Sequence, residues 1–517
     1  MPRPIPVEPP EIAATLPCNR PSVIASPYTR AAHTNKEAAI GPESCRIGID
    51  AGTGEVRVAV RRSPDGRLLA EASAAFAIDS EGERRTVDFA AVGAAMDTAL
   101  DEAIGLLPSV FFVEHVGIAA TASTVAVASL DGRLLAPGRL WSDHRSTREA
   151  AAMRAAGHPN LIRMLGHVSP EWGIAKLAAM AAEGELDRPG ADVVVELADW
   201  LAYRLTGAWV ANAGTREWGW AGGDDGRPPR KLLSAAGVPE AYAERVLPDV
   251  RVTGSVLGEV GAAARKRHPR MAGALVLVGG MDSHLAALGM GAAIPGRMCV
   301  SVGSSSAVVA GLACGTAHGL LYGPMRRVLP GDPDGYWQGG QTTAGLAAAW
   351  AARVLGRSRA SLEREALASP PGSRGVTFRE TMLDRRNPRP AAPLDGAWVG
   401  LQLHHERGDL YRAVLEGVAI GLAEACETLR AAEVVVSGGM VRSRLFRGIL
   451  ADVLERPVGR LRGAGSAAAL GAAFADAPLR VDSVARVVAI TTPSGADYRD
   501  ARARHLAASG DPGGGEA

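Results

Sequence analysis

The 517-residue sequence predicts a mixed α/β protein made of two similar halves that face one cleft. Strand-like and helix-like segments alternate along most of the chain, a pattern typical of sheets covered by helices. The opening segment CRIGIDAGTGEVRVAV (45–60) reads strand, small-residue turn, strand, and RMCVSVGSSSAVVAG (297–311) repeats this shape. Because the chain is also too long for one ordinary core, we expect duplicated domains.

Composition favours a globular protein, and the near-neutral charge predicts no strong positive or negative electrostatic field. Hydrophobic residues make up 47% of the chain, charged residues 21%, and the net charge is +1. A nearly neutral chain does not favour nucleic acid or a membrane surface as a partner, and no apolar run has the length of a membrane helix. The five cysteines are scattered and odd in number, which predicts a reduced, cytoplasmic protein without a disulfide framework or zinc site.

The ends of the chain differ from its middle. Residues 1–44 are rich in Pro, Ala, Thr and Asn and lack periodicity, so we predict a disordered extension or a misassigned start. For residues 479–517 we predict a C-terminal helix and a disordered tail.

The first half begins as an antiparallel meander. Strands are predicted at 46–50, 55–61 and 66–75, joined by glycine-containing turns. Residues 89–107 have the apolar spacing of a helix. The remaining predicted elements of this half are strands within 113–120 and 123–136 and helices over 147–157, 173–183 and 196–206.

The second half is introduced by a strand that ends in a glycine turn with an aspartate, ALVLVGGMDSH (274–284). After the repeated hairpin, VVVSGGMVRSRLFRGILADVL (434–454) runs from a strand through a glycine turn into a helix. Small residues let backbone N–H groups converge on one point, and such groups bind phosphate oxygens. A carboxylate such as Asp50 beside them suits Mg²⁺. From these residues alone, an ordinary tight hairpin is the favoured interpretation.

Six segments occur in the order in which they are found in the FGGY carbohydrate kinases, which belong to the actin-like ATPase superfamily. They are GIDAGTGEVRVAV, LWSDHR, ELADWLAYRLTG, GGMDSHLAALGMGA, SVGSSSAVVAG and VVSGGMVRSRLFRGILADVLERPV. The chain therefore resembles that family from about residue 45 to 478. The resemblance implies an α/β fold with two actin-like (ribonuclease H-like) domains and an interdomain cleft. The sugar-binding N-terminal domain would span 45–291 and the ATP-binding C-terminal domain 292–478.

The resemblance also implies ATP and Mg²⁺ and a set of site residues. Asp282 matches the general base of the family, and Asp50 matches the residue near the metal. The other implied contacts are Gly52, Thr53, Gly54, Arg57, Gly303, Ser304 and Ser305 for the ATP phosphates, Gly438, Gly439 and Arg442 for adenosine, and Ala122, Asp143, Arg145, Arg216 and Gln338 for the sugar. From its own segment alone, a helix cap is the favoured interpretation of Asp282, whereas Asp143 with Arg145 is equally a surface ion pair.

Three further segments are similar to ribulokinases: ATASTVAV (120–127), HVSPEWGIAK (167–176) and YWQGGQTTAGLAAAW (336–350). The departures from that pattern are Ala119 for an expected Asp, Ser304 for Thr, Gln338 for Glu, Arg216 near a family Lys, and the partly matching DRRNPRP (384–390). They leave the phosphate chemistry in place and the identity of the sugar open.

The expected partner is thus a small sugar or polyol. We expect no nucleic acid and no membrane as partners, and a homodimer as the oligomer. We expect transfer of phosphate from ATP to a primary hydroxyl of a ketopentose such as ribulose. The alternatives are a xylulose, glycerol or polyol kinase of the same family, or a non-catalytic sugar or nucleotide sensor on the same fold.

Overall fold

A computed structural model describes residues 43–223, 225–247, 249–330, 334–383, 386–387, 395–461, 466–477 and 487–509. The extension predicted over 1–44 lies outside the described residues except for residues 43 and 44, which already belong to the first strand. The tail predicted at the end of the chain lies outside them from residue 510 onward.

The first half contains a large sheet whose meander is the one predicted. The strands of the whole first half are β1 (Glu43–Ala51), β2 (Glu55–Arg62), β3 (Leu68–Ala75), β4 (Asp79–Glu81), β5 (Arg84–Val87), β6 (Phe111–Ala120), β7 (Val125–Ala128), β8 (Gly138–Arg139), β9 (Val193–Glu196), β10 (Ala211–Asn212), β11 (Val250–Arg251), β12 (Val256–Glu259), β13 (Leu275–Leu277) and β14 (Gly280–Met281). The large sheet has the order β12-β13-β6-β1-β2-β3, and β14 also pairs with β6. A smaller sheet has the order β4-β5-β8-β7-β9, and β10 pairs with β11.

Helices cover these sheets. They are α1 (Phe89–Gly105), α2 (Thr147–Ala156), α3 (Gly173–Ala182), α4 (Leu197–Thr206), α5 (Ala213–Gly219), α6 (Arg230–Ala235), α7 (Glu240–Ala243), α8 (Ala262–Arg267) and α9 (Asp282–Gly289). Asp88 caps α1 by accepting a hydrogen bond from the N–H of Ala90, and the buried face of α1 includes Val92, Met96 and Leu100. The apolar spacing that predicted a helix over 89–107 is therefore confirmed as the face that packs on the sheet.

The second half repeats the arrangement of the first. Its strands are β15 (Arg297–Val302), β16 (Ser306–Gly311), β17 (Tyr322–Met325), β18 (Tyr336–Gln341), β19 (Thr377–Arg379), β20 (Ala397–Val399), β21 (Glu433–Ser437), β22 (Val458–Leu461) and β23 (Val487–Thr491). Its helices are α10 (Gly345–Val354), α11 (Arg359–Ala368), α12 (Arg407–Glu427), α13 (Arg444–Val453), α14 (Ala467–Ala473) and α15 (Arg499–Ala508). Short 3₁₀ helices lie at Pro159–Met164, Glu185–Asp187, Pro269–Met271, Leu312–Cys314, Ser373–Gly375 and Met440–Arg442.

The repeat is visible in the strand pairing. In the first half β1 pairs antiparallel with β2 and parallel with β6, and in the second half β15 pairs antiparallel with β16 and parallel with β21. The second large sheet has the order β17-β18-β16-β15-β21-β22-β23. The prediction of two similar halves is confirmed at this level. The strand β23 was not predicted and extends the sheet beyond residue 478.

Helix α14 joins the two halves, because it lies in the second half of the sequence but packs against the sheet of the first. A Cβ atom on Gly48 would lie 1.8 Å from the carbonyl oxygen of Ala469, and one on Gly117 would lie 1.9 Å from that of Ala472. Only glycine allows a helix backbone to approach a strand backbone so closely. A single buried apolar cluster accordingly contains residues of both halves, between 119 and 475.

Candidate active site

Two carboxylates meet at one edge of the first sheet. In the strand pairing, Asp50 of β1 lies opposite Ala119 of β6, and Gly280 of β14 lies opposite the same Ala119. All three strands run parallel, so their carboxyl ends lie side by side, a common position for ligand sites in such sheets. Asp282 follows β14 directly and is thereby brought near Asp50.

Asp282 is the first residue of α9. The residue in the N-cap position is Met281, so the helix begins one residue earlier than an Asp282 cap would require. The Asp282 Oδ1 atom instead accepts a hydrogen bond of 2.7 Å from the N–H of Ser283. Burial, together with the charge of Asp50, raises the pKa of Asp282 to about 7, while Arg386 opposes this shift. Asp282 as a whole residue is half-buried.

Asp50 is held from two sides. The Ser466 hydroxyl, at the start of α14, donates a 2.6 Å hydrogen bond to Asp50 Oδ2. The Arg57 Nη1 atom lies 3.5 Å from the same oxygen. Burial raises the pKa of Asp50, whereas Arg57 and the Ser466 hydrogen bond lower it. Arg57, predicted to bind phosphate, is thus engaged with Asp50 and also pairs with Glu55.

The first predicted phosphate turn, residues 52–54, is a tight hairpin between β1 and β2. The N–H of Gly52 donates to the carbonyl of Glu55 over 3.0 Å, and Gly54 has a φ of 98°, a value that favours glycine. The Thr53 hydroxyl accepts a 3.0 Å hydrogen bond from the indole of Trp141. The hairpin is therefore braced by the LWSDHR segment.

The second predicted phosphate turn, Gly303 to Ser305, connects β15 to β16 and lies on the first turn of α10. The carbonyl of Gly303 accepts from the N–H of Gly345 over 2.9 Å, and that of Ser304 accepts from Ala344 over 2.9 Å. These carbonyls satisfy N–H groups that the start of a helix leaves unpaired. The hairpin and the helix therefore form one rigid corner.

The predicted adenosine turn lies against the same corner. Gly438 has a φ of 106°, and a Cβ atom there would lie 2.4 Å from the carbonyl oxygen of Val302, one residue before Gly303. Gly439 and Arg442 belong to the turn that follows, where the N–H of Arg442 donates to the Gly439 carbonyl over 3.3 Å. The structure thus brings the second and third glycine turns together.

Asp143 and Arg145, predicted to contact the sugar, are bonded to each other. The Arg145 Nη2 atom lies 2.9 Å from Asp143 Oδ2, which also accepts from the N–H of Arg85 over 3.0 Å. These hydrogen bonds lower the pKa of Asp143 against the effect of its burial. Asp143 is completely buried, so the alternative of a surface ion pair is wrong for this residue.

Ala122 lies in a turn that Lys176 fastens to the neighbouring segment. The Lys176 Nζ atom is fully buried and donates to the carbonyls of Ser123, Leu140 and Trp141 over 2.7, 2.6 and 3.1 Å. Every N–H of the ammonium group has an acceptor in this arrangement. Lys176 therefore ties the ATASTVAV segment to the LWSDHR segment.

Arg216 is a buried cation whose guanidinium lies 4.3 Å from the centre of the Trp220 ring. None of its three side-chain nitrogens has a hydrogen-bond partner among the described residues. Asp199 and Glu196 are the acidic groups close enough to favour its charge. The guanidinium N–H groups are therefore completely buried without a hydrogen-bond acceptor among the described residues.

Gln338, on β18, is bonded across the two halves. Its Oε1 atom lies 2.7 Å from the Nε2 atom of His284 on α9. Burial lowers the pKa of His284 to about 4, so the imidazole is neutral near pH 7 and donates to the amide oxygen. The amide oxygen of Gln338, which was predicted to contact the sugar, is thus already hydrogen-bonded within the protein.

Several residues near the site were not among the sequence candidates, namely Glu171, Lys176, His284, Arg386 and Ser466. A faint signal existed for Lys176, since the chain has only four lysines and this one lies within an otherwise apolar helix. For Ser466 no local signal exists, because its partner Asp50 is 416 residues away in the sequence.

The arrangement offers two convergent carboxylates beside two small-residue turns. Within the described part of the chain, no group of three or more His, Cys, Asp or Glu side chains could hold a metal ion. Among the same residues, no helix has the length and apolar character needed to cross a membrane.

Comparisons with known proteins identify the family of the chain. The profile of the FGGY family of carbohydrate kinases, N-terminal domain, matches residues 45–289, and that of the C-terminal domain matches residues 298–477. A ribulokinase from Mycolicibacterium smegmatis is 28% identical over 489 residues, which cover 83% of this chain and 84% of that protein. A xylulose kinase from Escherichia coli is 26% identical over 403 residues, or 73% of this chain and 78% of that protein.

A solved structure shares the fold. The crystal structure of xylulose kinase from Rhodospirillum rubrum superposes with a TM-score of 0.72 at 26% identity, covering 90% of this chain and 98% of that one. The resemblance to ribulokinase-like FGGY kinases and the predicted two-domain actin-like fold are both confirmed.

Proposed function

The chain belongs to the FGGY family of carbohydrate kinases, and on that premise we propose that it transfers the γ-phosphoryl group of ATP to a primary hydroxyl of a ketopentose such as ribulose. Its activity as a sugar kinase follows from the family. The roles of individual residues and the choice of sugar are the proposal.

The observation that carries the residue assignment is the pairing of Asp282 with Asp50 at one sheet edge. A general base works best when its pKa lies near the working pH. Burial and the charge of Asp50 raise the pKa of Asp282 to about 7. Asp282 is therefore suited to accept a proton from a sugar hydroxyl at neutral pH.

In the proposed reaction the sugar hydroxyl oxygen attacks the γ-phosphorus in line with the departing ADP. The new O–P bond forms as the bond between the γ-phosphorus and the β,γ-bridging oxygen breaks, and the hydroxyl proton passes to the Asp282 carboxylate. The N–H groups of Gly52 and Gly303 donate within their own hairpins. The other N–H groups of the turns 52–54 and 303–305 therefore orient the phosphates, and the turn at 438–442 accommodates adenosine.

Asp50 suits Mg²⁺, because a cation would offset the repulsion that Asp50 exerts on Asp282. Mg²⁺ commonly uses one or two carboxylates together with waters and substrate phosphates, so a cluster of three protein ligands is not needed. When bound, it would neutralise charge on the phosphoryl oxygens. Ser466 keeps the Asp50 carboxylate in a fixed orientation through its 2.6 Å hydrogen bond.

For the sugar, the strongest support comes from Arg216, whose buried N–H groups have no described protein partner. Gln338 has its amide oxygen engaged by His284, so its NH₂ group is the part left to face a hydroxyl. Asp143 and Arg145 satisfy each other and would shape the pocket next to Ala122. The similarity to a ribulokinase over most of both chains supports ribulose as the first acceptor to test.

Xylulose is the second candidate, supported by the relatives that carry this name at 26% identity. L-ribulose and D-xylulose are both ketopentoses with primary hydroxyls, so the same phosphate chemistry serves either. They differ in the hydroxyl directions that the protein's donors and acceptors must match.

The test is an ADP-release screen with purified protein, MgATP and L-ribulose, D-ribulose, D-xylulose and glycerol, with mass spectrometry of the product. We expect one ketopentose to dominate, because sites that hydrogen-bond a hydroxyl discriminate by up to about 10⁴–10⁵-fold. Dominance of glycerol would overturn the sugar assignment. Sugar binding without ADP release would favour a sensor.

A further inference from the structure

A buried ion pair crosses from one half of the molecule to the other. The Arg386 Nη2 and Nε atoms lie 3.0 and 3.3 Å from Glu171 Oε2. The Glu171 side chain is 1% exposed and that of Arg386 is 12% exposed. Glu171 belongs to the HVSPEWGIAK segment, within the matched N-terminal domain, whereas Arg386 lies within the matched C-terminal domain.

The neighbour of Arg386 in the chain, Asn387, is hydrogen-bonded to a strand of the second half. The Asn387 amide donates to the carbonyl of Gln338 over 3.0 Å and accepts from the N–H of Gly340 over 3.0 Å. Both partners lie on β18. Arg386 itself lies outside the strands, next to a residue that is fixed to β18.

The same strand provides a second link between the halves, from Gln338 to His284. His284 lies two residues after Asp282 on α9, and Arg386 is close enough to Asp282 to influence its charge. Both links therefore lie near the proposed base. The Glu171 Oε1 atom faces His144 Nε2 at 3.7 Å, which ties the pair to the LWSDHR segment as well.

We propose that the Glu171–Arg386 pair is a clamp that holds the two halves closed over the cleft and so positions the HVSPEWGIAK segment against Asp282. A buried ion pair adds little net stability, but it is specific to one geometry, because either charge left buried alone is unfavourable. When one partner is replaced, the other charge stays buried and unpaired in the closed arrangement, so a single variant should favour an open arrangement in which that charge reaches water. The proposal rests on the kinase activity of the family and not on which sugar is used.

The first measurement is small-angle X-ray scattering of the ligand-free full-length protein and three variants. Glu171→Gln and Arg386→Gln are each expected to give a larger radius of gyration than the unmodified protein. The matched control is Arg412→Gln, since Arg412 and Glu416 form a buried pair at 2.7 Å within α12. The control should leave the radius of gyration unchanged.

The second measurement distinguishes a role of the pair in positioning the sugar from a role in the folding of the protein. The variants are assayed with MgATP and whichever of L-ribulose and D-xylulose gives the higher kcat/KM in the unmodified protein. Each cross-domain variant should raise the sugar KM by about tenfold, and the double variant should be no worse than the worse single one, because the two residues act as a unit. MgADP affinity, measured by calorimetry, should stay within about twofold, because the phosphate turns are untouched.

Unchanged scattering in both variants, or strictly additive effects on KM, would overturn the clamp. If a variant does not fold, Arg386→Lys and Glu171→Asp keep the charges and should give intermediate KM values. Failure of both sugars to react would count against the proposed acceptor, while the scattering result would still decide the clamp.

Discussion

At the scale of single residues, the chemistry depends on the neighbours of a side chain more than on its type. Asp282 and Asp143 are both aspartates near the site. Burial and the Asp50 carboxylate raise the pKa of Asp282 to about 7, whereas hydrogen bonds from Arg145 and Arg85 lower that of Asp143. One is thereby suited to accept a proton and the other to remain a fixed anion.

Asp282→Asn tests the base directly. The amide cannot accept the hydroxyl proton, so we expect kcat to fall by about 10²–10⁴-fold, the usual contribution of general-base catalysis. The affinity for MgADP should be retained, because the turns that we propose to bind phosphate are unchanged. Steady-state kinetics and calorimetric titration check this, and full activity in a folded variant would contradict the assignment.

The same substitution should stabilise the ligand-free protein, in a pH-dependent way. The pKa of Asp282 is raised from 3.8 to about 7 in the folded state, so the folded state favours the protonated carboxyl. That contribution is complete below pH 3.8 and is lost as the pH rises through 7. At pH 8 we expect Asp282→Asn to add about 1–3 kcal/mol, reduced from the full shift because Asp282 as a whole residue is only half-buried.

Calorimetric melting temperatures at pH 8 and pH 4.5 measure this effect. The gain in melting temperature should be clear at pH 8 and shrink toward pH 4.5. An equal gain at both values would show that the ionisation of Asp282 is not its source. Stabilisation on loss of an active-site group is a common consequence of strained catalytic sites.

At the scale of secondary-structure elements, close backbone contacts and a buried lysine fix the parts of the site. The contact of α14 with β1 and β6 depends on glycines that admit a helix backbone at van der Waals distance. Since Ser466 starts α14 and bonds Asp50, the position of the helix also determines the orientation of that carboxylate.

Gly48→Ala should therefore be strongly destabilising. Its Cβ atom would lie 1.8 Å from the Ala469 carbonyl oxygen, a backbone atom that cannot move away cheaply. We expect a loss of about 3 kcal/mol or more, at the upper end for overpacking. The control is Gly448→Ala in α13, where a Cβ atom meets nothing within 4 Å and helix propensity predicts a gain of up to about 1 kcal/mol. Denaturant unfolding measures both, and a neutral Gly48→Ala would contradict the packing.

Lys176→Met tests whether Lys176 holds the ATASTVAV segment against the LWSDHR segment. Methionine fills similar space but leaves three buried carbonyls without a donor, and each buried unpaired group costs about 1–3 kcal/mol. We expect a clear fall in melting temperature and faster amide exchange around residues 121–124. Lys231→Met, at an exposed position, should change stability by no more than about 0.5 kcal/mol. Equal behaviour of the two variants would show that Lys176 is not a structural tie.

At the scale of the whole molecule, one apolar cluster is shared by the two family domains, in addition to a cluster within each half. The apolar cluster that contains Leu285 of the first half also contains Leu470 of the second. Cross-half contacts also join Glu171 to Arg386 and His284 to Gln338. The two halves are therefore expected to lose their structure together.

Differential scanning calorimetry should accordingly show one transition for the ligand-free protein, with no resolved domain peaks. The reason is that unfolding either half exposes the glycine-lined surface shared with α14, which leaves the other half without part of its core. Two well-separated transitions would show that α14 contributes little to the coupling.

The sequence by itself determined the local structure and the family. The hairpins, the glycine turns and the first helices follow from spacing between near neighbours, which is why segments such as 89–107 were predicted nearly to their ends. The order of six motifs was enough to place the chain among the FGGY kinases. These features depend on residues that are close in the sequence.

Only the tertiary structure decided which of these residues act together. Asp50 and Asp282 meet because two strands flank Ala119, and Asp50 is bonded by a serine 416 residues away. Gln338 faces His284, and Glu171 faces Arg386, through contacts that no local pattern records. The physical reason is that pKa values and ion pairs depend on distances through space, which the chain sets only once its two halves have packed around α14.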